Sequence, residues 1–115
     1  MSQHDPLVAL RHMLDHAREA VELVRGRTRA NLEEDRLLQL ALTRLVEIVG
    51  EAANRVPTEL QERHSALPWA EAIGARNRLI HGYELVDLDI LWEIAASDLP
   101  LLIQQIEQVL EDEAG

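Results

Sequence analysis

The spacing of apolar residues along the first 24 positions constrains this chain more than any other feature. Leu7, Leu10, Leu14, Ala17, Val21 and Val24 follow one another at alternating steps of three and four residues. That is the period of one face of an α-helix, not the two-residue alternation of a strand. So narrow a seam is the kind that helix bundles and helical dimers bury. Asp5-Pro6 is placed to cap the helix and Gly26 to stop it. After a polar connection, Arg27 to Asn31, the period returns in Leu38, Leu42, Leu45, Val49, Ala52 and Val56 and ends at Pro57. Gly50 inside this second helix costs about 1 kcal/mol relative to alanine, and so marks the close approach of another helix.

Pro57 and Pro68 sit where proline favours a helix start, which predicts a short helix near Thr58 to His64 and a longer one from Pro68-Trp69 through Ile80, ended by Gly82. The final stretch opens at Asp87 and carries Leu88, Leu91, Ala95, Leu99, Leu102, Ile106 and Val109 at helical spacing. Ser97-Asp98-Leu99-Pro100 in its middle predicts a break or kink, with Asp98 capping a new helix. Strand-type alternation, low-complexity tracts and internal repeats are all missing. The expected architecture is therefore all-α, an antiparallel four- to five-helix bundle.

A chain of 115 residues fits one domain, read here as residues 1–115, and can bury a core without disulfides or a structural metal. Cysteine is absent, which removes thiolate metal sites and leans toward a reducing compartment. The start, Met1-Ser2-Gln3-His4-Asp5-Pro6, does not read as a secretory leader, and no run approaches the ~18 to 20 apolar residues of a membrane span. A cytoplasmic protein with no membrane partner is the expectation. The formal charge of -10 counts against broad RNA or DNA binding through phosphates. It suits either a basic partner surface or plain solvation of outer helix faces. All 11 basic residues are arginine; compositional bias accounts for this, although arginine is also the side chain that forks onto phosphate.

Chemistry concentrates in Arg76-Asn77-Arg78-Leu79-Ile80-His81-Gly82-Tyr83. On a helix running through Ile80, Asn77 and His81 lie one turn apart on one face, while Arg76 lies about 140° from His81 around the axis. One helix does not cluster the pair tightly. The long arginine stem, the helix end at Gly82, or a second copy across a two-fold axis would bring them to one phosphate. Metal-free RNA cleavage needs a base for the 2′-hydroxyl proton, a cation on the developing phosphorane and an acid for the leaving oxygen. An imidazole titrating near pH 6.5 and an always-charged guanidinium are those types. The plain alternative is that Arg76 and Arg78 are last-turn cations on the helix dipole and His81 is a C-terminal cap. Spacing alone leaves both open.

The wider sequence resembles the HEPN superfamily, specifically its HepT-like branch of toxin ribonucleases. Ile48-Val49-Gly50-Glu51-Ala52-Ala53, Pro68-Trp69, Ala75 through Tyr83, Leu91-Trp92 and Asp98-Leu99-Pro100 stand in the family's order. The match covers roughly two thirds of the chain, which is far more specific than one spacing. The resemblance implies a homodimeric HEPN-like bundle in which paired Arg76 and His81 form a metal-independent endoribonuclease site. Asn77 and Arg78 would contact phosphate or ribose, and the product would carry a 2′,3′-cyclic phosphate. It implies no cofactor. It also implies a HepT/MntA-type toxin–antitoxin pair, in which a minimal nucleotidyltransferase transfers AMP to the hydroxyl of Tyr83 and silences the toxin. An adenylylated Tyr83 would set a phosphate beside Arg76 and His81, blocking access and neutralising charge. Glu51, a carboxylate within an apolar helix, is expected to hydrogen-bond the active-site arginine. The reading from a different class is a non-catalytic helical module that docks a nucleotidyltransferase or a nucleotide; a purely structural dimer module is a third.

Other constellations are weaker. His12 and His16 have the i, i+4 spacing of two metal ligands beside Asp15, but no third ligand follows, and no metal site is expected. His4 and His64 read as surface residues. Arg25, Arg27, Arg29 and Arg36 form either a local RNA or partner patch or a set of helix-end and loop cations. Trp69 and Trp92 read as core, because the chain has no phenylalanine to fill its volume.

Overall fold

The computed structural model describes residues 5–81 and 85–115, with side chains for all of these except Ile80, His81 and Leu85. Helix α1 spans Val8–Val24. The Asp5 carboxylate accepts a hydrogen bond from the Leu7 N–H at 2.8 Å ahead of it, and Gly26 beyond its end adopts φ 73°, a conformation in which a Cβ would be strained. Where a polar connection was expected, Arg29–Glu34 forms a short helix, α2. Its start is a capping box: the Thr28 hydroxyl accepts from the Asn31 N–H at 3.2 Å while the Asn31 side chain accepts from the Thr28 N–H at 2.9 Å. Leu32 buries completely beneath it.

Helix α3, Arg36–Arg55, is capped by the Asp35 side chain, which accepts from the Leu38 N–H at 3.0 Å. It stops at Val56-Pro57, and α4, Thr58–Arg63, begins at once. Gln61 of α4 donates through Nε2 to the Ala53 and Val56 carbonyls at 3.3 and 3.0 Å, adding to the bond that the Ala53 oxygen already accepts from the Val56 N–H and tying α4 to the end of α3. Helix α5, Trp69–Leu79, starts at Pro68 as expected.

It ends earlier than expected. Ile80–His81 leaves the helix as a two-residue strand, β1, paired antiparallel with Leu85–Val86, β2. Gly82 therefore does not terminate α5, and it lies outside the described residues. The Leu79 carbonyl accepts from the Asp87 N–H at 2.8 Å at the base of this pairing. Asp87 then caps α6, Leu88–Glu93, through bonds from the Asp89 and Ile90 N–H groups.

The expected break at Ser97-Pro100 is a wide turn of π-helix, Ile94–Asp98, that leads without interruption into α7, Leu99–Ala114. The Asp98 side chain makes no capping bond, contrary to the sequence expectation. Pro100 explains the geometry. In a straight α-helix its ring would clash with a carbonyl one turn back, and the extra residue of the π turn relieves that clash while the Leu99 N–H still reaches the Ile94 carbonyl.

Helix α1 packs against α3 and α7, and α3 packs against α5, giving the all-α bundle expected from the sequence. Every apolar residue singled out in the final stretch from Leu91 to Val109 is buried, as are Leu10, Leu14, Ala17 and Val24 of α1. Met13 and Ala20, which lie off the expected seam, are fully buried too and widen it. Gly50 meets its expectation: a Cβ there would stand 2.9 Å from the Ala72 carbonyl oxygen and 3.3 Å from that of Ile73. Trp69 is buried and donates through Nε1 to the His64 carbonyl at 3.0 Å, while Trp92 is partly buried against the core. Among the described residues no helix is long and apolar enough to cross a membrane.

Candidate active site

Arg76, Asn77 and Arg78 close the last turn of α5, and all three are exposed. Consecutive helical residues diverge by about 100°, so the three side chains serve different sides of the helix end. Arg76 turns toward α3, where its Nε donates to Glu47 Oε2 at 2.5 Å. Arg78 turns toward the π turn, where its Nη1 stands 3.9 Å from Asp98 Oδ2. Asn77 lies between them.

The Arg76 guanidinium keeps 59% of its side-chain exposure, against 22% for Glu47. An ion pair this exposed contributes about 0 to 1 kcal/mol to stability. Its geometry is more informative than its energy. The bond uses Nε, and among the described residues neither Nη group has a partner. The end-on Nη1–Nη2 edge, the one that grips two oxygens of a phosphate, stays open.

His81 follows in β1, its backbone held opposite Leu85. The helical relation expected between Asn77 and His81 thus fails, as does the 140° offset of Arg76 from His81, because His81 is not on the helix. Strand pairing fixes its backbone instead. Tyr83 and His4 lie outside the described residues.

Glu51 is not the carboxylate that meets Arg76. Its Oε1 accepts from Arg44 Nη1 of the same helix at 3.1 Å. Sequence reasoning chose the wrong one of two glutamates one turn apart. The register of α3 against α5 separates them: with Gly50 against Ala72 and Ile73, an antiparallel crossing places a residue three positions earlier on α3 beside one three or four positions later on α5. That pairs Glu47 with Arg76.

Beside Arg78 a groove of about 310 Å³ runs between α3, α5, the π turn and α7, with Val49, Ala75 and Leu102 in its walls. Gln105 also lines it, and its Oε1 is buried with no hydrogen-bond partner among the described residues.

The remaining candidates make local contacts. His16 Nδ1 sits 2.8 Å from the His12 carbonyl oxygen, and among the described residues no three His, Cys, Asp or Glu side chains converge. Three of the four clustered arginines are in ion pairs: Arg25 with Glu22 at 2.9 Å, Arg27 with Asp35 at 3.6 Å, and Arg29 with Asp89 at 2.7 Å and Glu33 at 3.3 Å. His64 is not the surface residue expected. Only 14% of its side chain is exposed, and Nε2 lies 2.6 Å from Glu113 Oε2, joining α4 to the end of α7. Arg63 grips the same carboxylate at 2.9 Å. Arg63 first, and then His64, holds the Glu113 carboxyl below its ordinary pKa.

Comparison with known proteins identifies the family. A family profile described as ribonuclease HepT-like matches residues 13–109. A protein of Caldanaerobacter subterraneus subsp. tengcongensis, named as a candidate RNase, is 36% identical over 108 residues, which is 94% of this chain and 96% of that one. A protein of Thermococcus cleftensis, named a probable ribonuclease HepT, is 36% identical over 84% of this chain and 91% of its own length. A Methanocaldococcus jannaschii protein, also named as a candidate RNase, is 30% identical over 95% of this chain and all of its own. No solved structure gives a significant match. With a helical bundle that presents exposed arginines on the turn before His81, and a profile that spans nearly the whole length, the chain belongs to the HepT-like ribonuclease family.

Proposed function

We propose that this chain is a metal-independent endoribonuclease toxin, acting as a homodimer in which Arg76 and His81 of both protomers line one cleft. In this reading His81 moves protons to or from the 2′-hydroxyl and the leaving oxygen, and Arg76 stabilises the phosphorane. Asn77 and Arg78 hold the RNA backbone. Cleavage leaves a 2′,3′-cyclic phosphate. A minimal nucleotidyltransferase antitoxin, MntA-like, silences the site by transferring AMP to Tyr83.

The observation that carries this reading is the open Nη edge of Arg76 at the solvent-facing end of α5, five residues before His81. A guanidinium serving only as a helix-end cation has no need of a carboxylate from another helix, whereas one that must meet phosphate in a fixed orientation does. The homodimer draws support from exposed leucines. Leu37 and Leu40 of α3 keep 78% and 50% exposure, and Leu101 of α7 keeps 57%. Leu40 and Glu47 share one outward side of α3 by the helical period, so a second copy covering the leucines would come close to Arg76.

The test uses the unmodified chain, verified by intact mass, incubated with a mixed-sequence RNA in excess chelator, followed by end-group analysis of the fragments. Cleavage with cyclic-phosphate ends supports the proposal. Co-expression with the nucleotidyltransferase should then add mass in AMP steps to the wild type, abolish cleavage, and leave Tyr83→Phe unmodified and active. If unmodified, dimeric protein leaves every RNA intact, the chain is a binding module and not a nuclease.

A further inference from the structure

We infer that Glu47 is a positioning residue for this site, orienting Arg76 so that its end-on edge meets the scissile phosphate. The inference rests on the ribonuclease reading above and adds to it a residue from a different helix. A free arginine at an exposed helix end samples many rotamers, and freezing them when substrate arrives costs part of the binding energy. Glu47 does that freezing in advance. It stands on α3, where Gly50 lets the α5 backbone approach closely, so the carboxylate and the arginine stem are set by two rigid helices instead of a loop.

The point of attachment decides the consequence. Glu47 takes Nε and leaves Nη1 and Nη2. A carboxylate bound across the Nη edge would compete with phosphate for the same donors; one bound at Nε does not. Electrostatics work in the opposite direction. A negative charge beside Arg76 weakens attraction for RNA, and removing it should strengthen ground-state binding while loosening the orientation needed in the transition state.

This opposition yields a signature that a structural role would not give. In steady-state cleavage by the full chain, Glu47→Ala should lower kcat by about fivefold, the most that orientation by so exposed an ion pair can supply. KM for RNA should be unchanged or lower. Glu47→Gln keeps an oxygen that accepts from Nε and should recover most of the lost kcat. Glu107→Ala, which breaks the equally short but more exposed pair that Glu107 makes with Arg18 at 2.5 Å, is the control and should match wild type. Equal losses in Glu47→Ala and Glu47→Gln would overturn the inference, because they would make the carboxylate a proton-transfer group. Wild-type kcat in Glu47→Ala would overturn it as well. So would loss of kcat that tracks unfolding in both variants by circular dichroism, which would make the contact structural. Failure of the wild type to cleave any RNA would instead strike the ribonuclease reading itself.

Discussion

At the scale of single residues, contacts between helices matter more than the side chains' own chemistry. Gly50 is the sharpest case. Alanine there would gain about 1 kcal/mol of helix propensity, yet its Cβ would meet two backbone carbonyls of α5 at 2.9 and 3.3 Å, and backbone cannot turn aside as a side chain can. Overpacking of that kind costs about 1 to 3 kcal/mol, so the clash should win. Gly50→Ala should lower the melting temperature by roughly 5 °C, and it should displace Arg76 from Glu47. An unchanged or raised melting temperature would show that α3 and α5 have room to part. The clasp of Glu113 with Arg63 and His64 makes a second prediction. Its carboxyl is held below the ordinary carboxylate value, first by Arg63 and then by His64. The folded-state pKa therefore lies under the unfolded value of about 4.3, so the clasp stabilises above that value and its contribution fades as pH falls through the folded one. Wild type should melt higher than Glu113→Gln at pH 7, and the difference should close on acidification below about pH 4. A gap that persists at pH 3 would assign the effect to packing.

At the scale of elements, the parts legible in the sequence were those written in local chemistry. The apolar period placed α1, α3 and the α6–α7 stretch, and Pro57, Pro68 and Asp87 marked starts that the structure keeps. What stayed hidden depends on partners distant in sequence. Leu79 and Ile80 would both suit a helix, and α5 ends between them only because Ile80 finds Val86 across a strand pairing. Asp98 has the chemistry of a cap, but the π turn satisfies the backbone before a cap is needed. Glu47 and Glu51 are equivalent on α3 until α5 is laid across it, so the carboxylate facing Arg76 could not be chosen from α3 alone. The short α2 was legible in principle, through Thr28 and Asn31, and was missed because asparagine took the place usually held by glutamate or glutamine. Caps here should carry ordinary weight: Asp35→Ala removes the bond to the Leu38 N–H and should cost about 1 kcal/mol in urea denaturation. A cost near zero would mean that solvent satisfies the same N–H donor.

At the scale of the whole molecule, a chain of net charge -10 that acts on RNA sets a constraint on how substrate is held. The overall field repels RNA, so capture depends on a few arginines at short range. If Arg76 and Arg78 of two protomers make at most four phosphate contacts, the dependence of log kcat/KM on log salt should be shallower than about −3. A steeper slope would require a basic surface beyond these residues. The same restriction would make the site sensitive to a single added phosphate, as the silencing proposed for Tyr83 requires. The measurement that bears most directly on the central claim is single-turnover cleavage of one defined RNA in chelator by wild type, Arg76→Ala and His81→Ala, with folding of each confirmed by circular dichroism. If Arg76 and His81 carry the chemistry, wild type should cut while both variants, equally helical, lose at least about a hundredfold in rate, the order expected for removal of a general acid–base or charge-stabilising group. Retention of wild-type rate by either variant would contradict that claim.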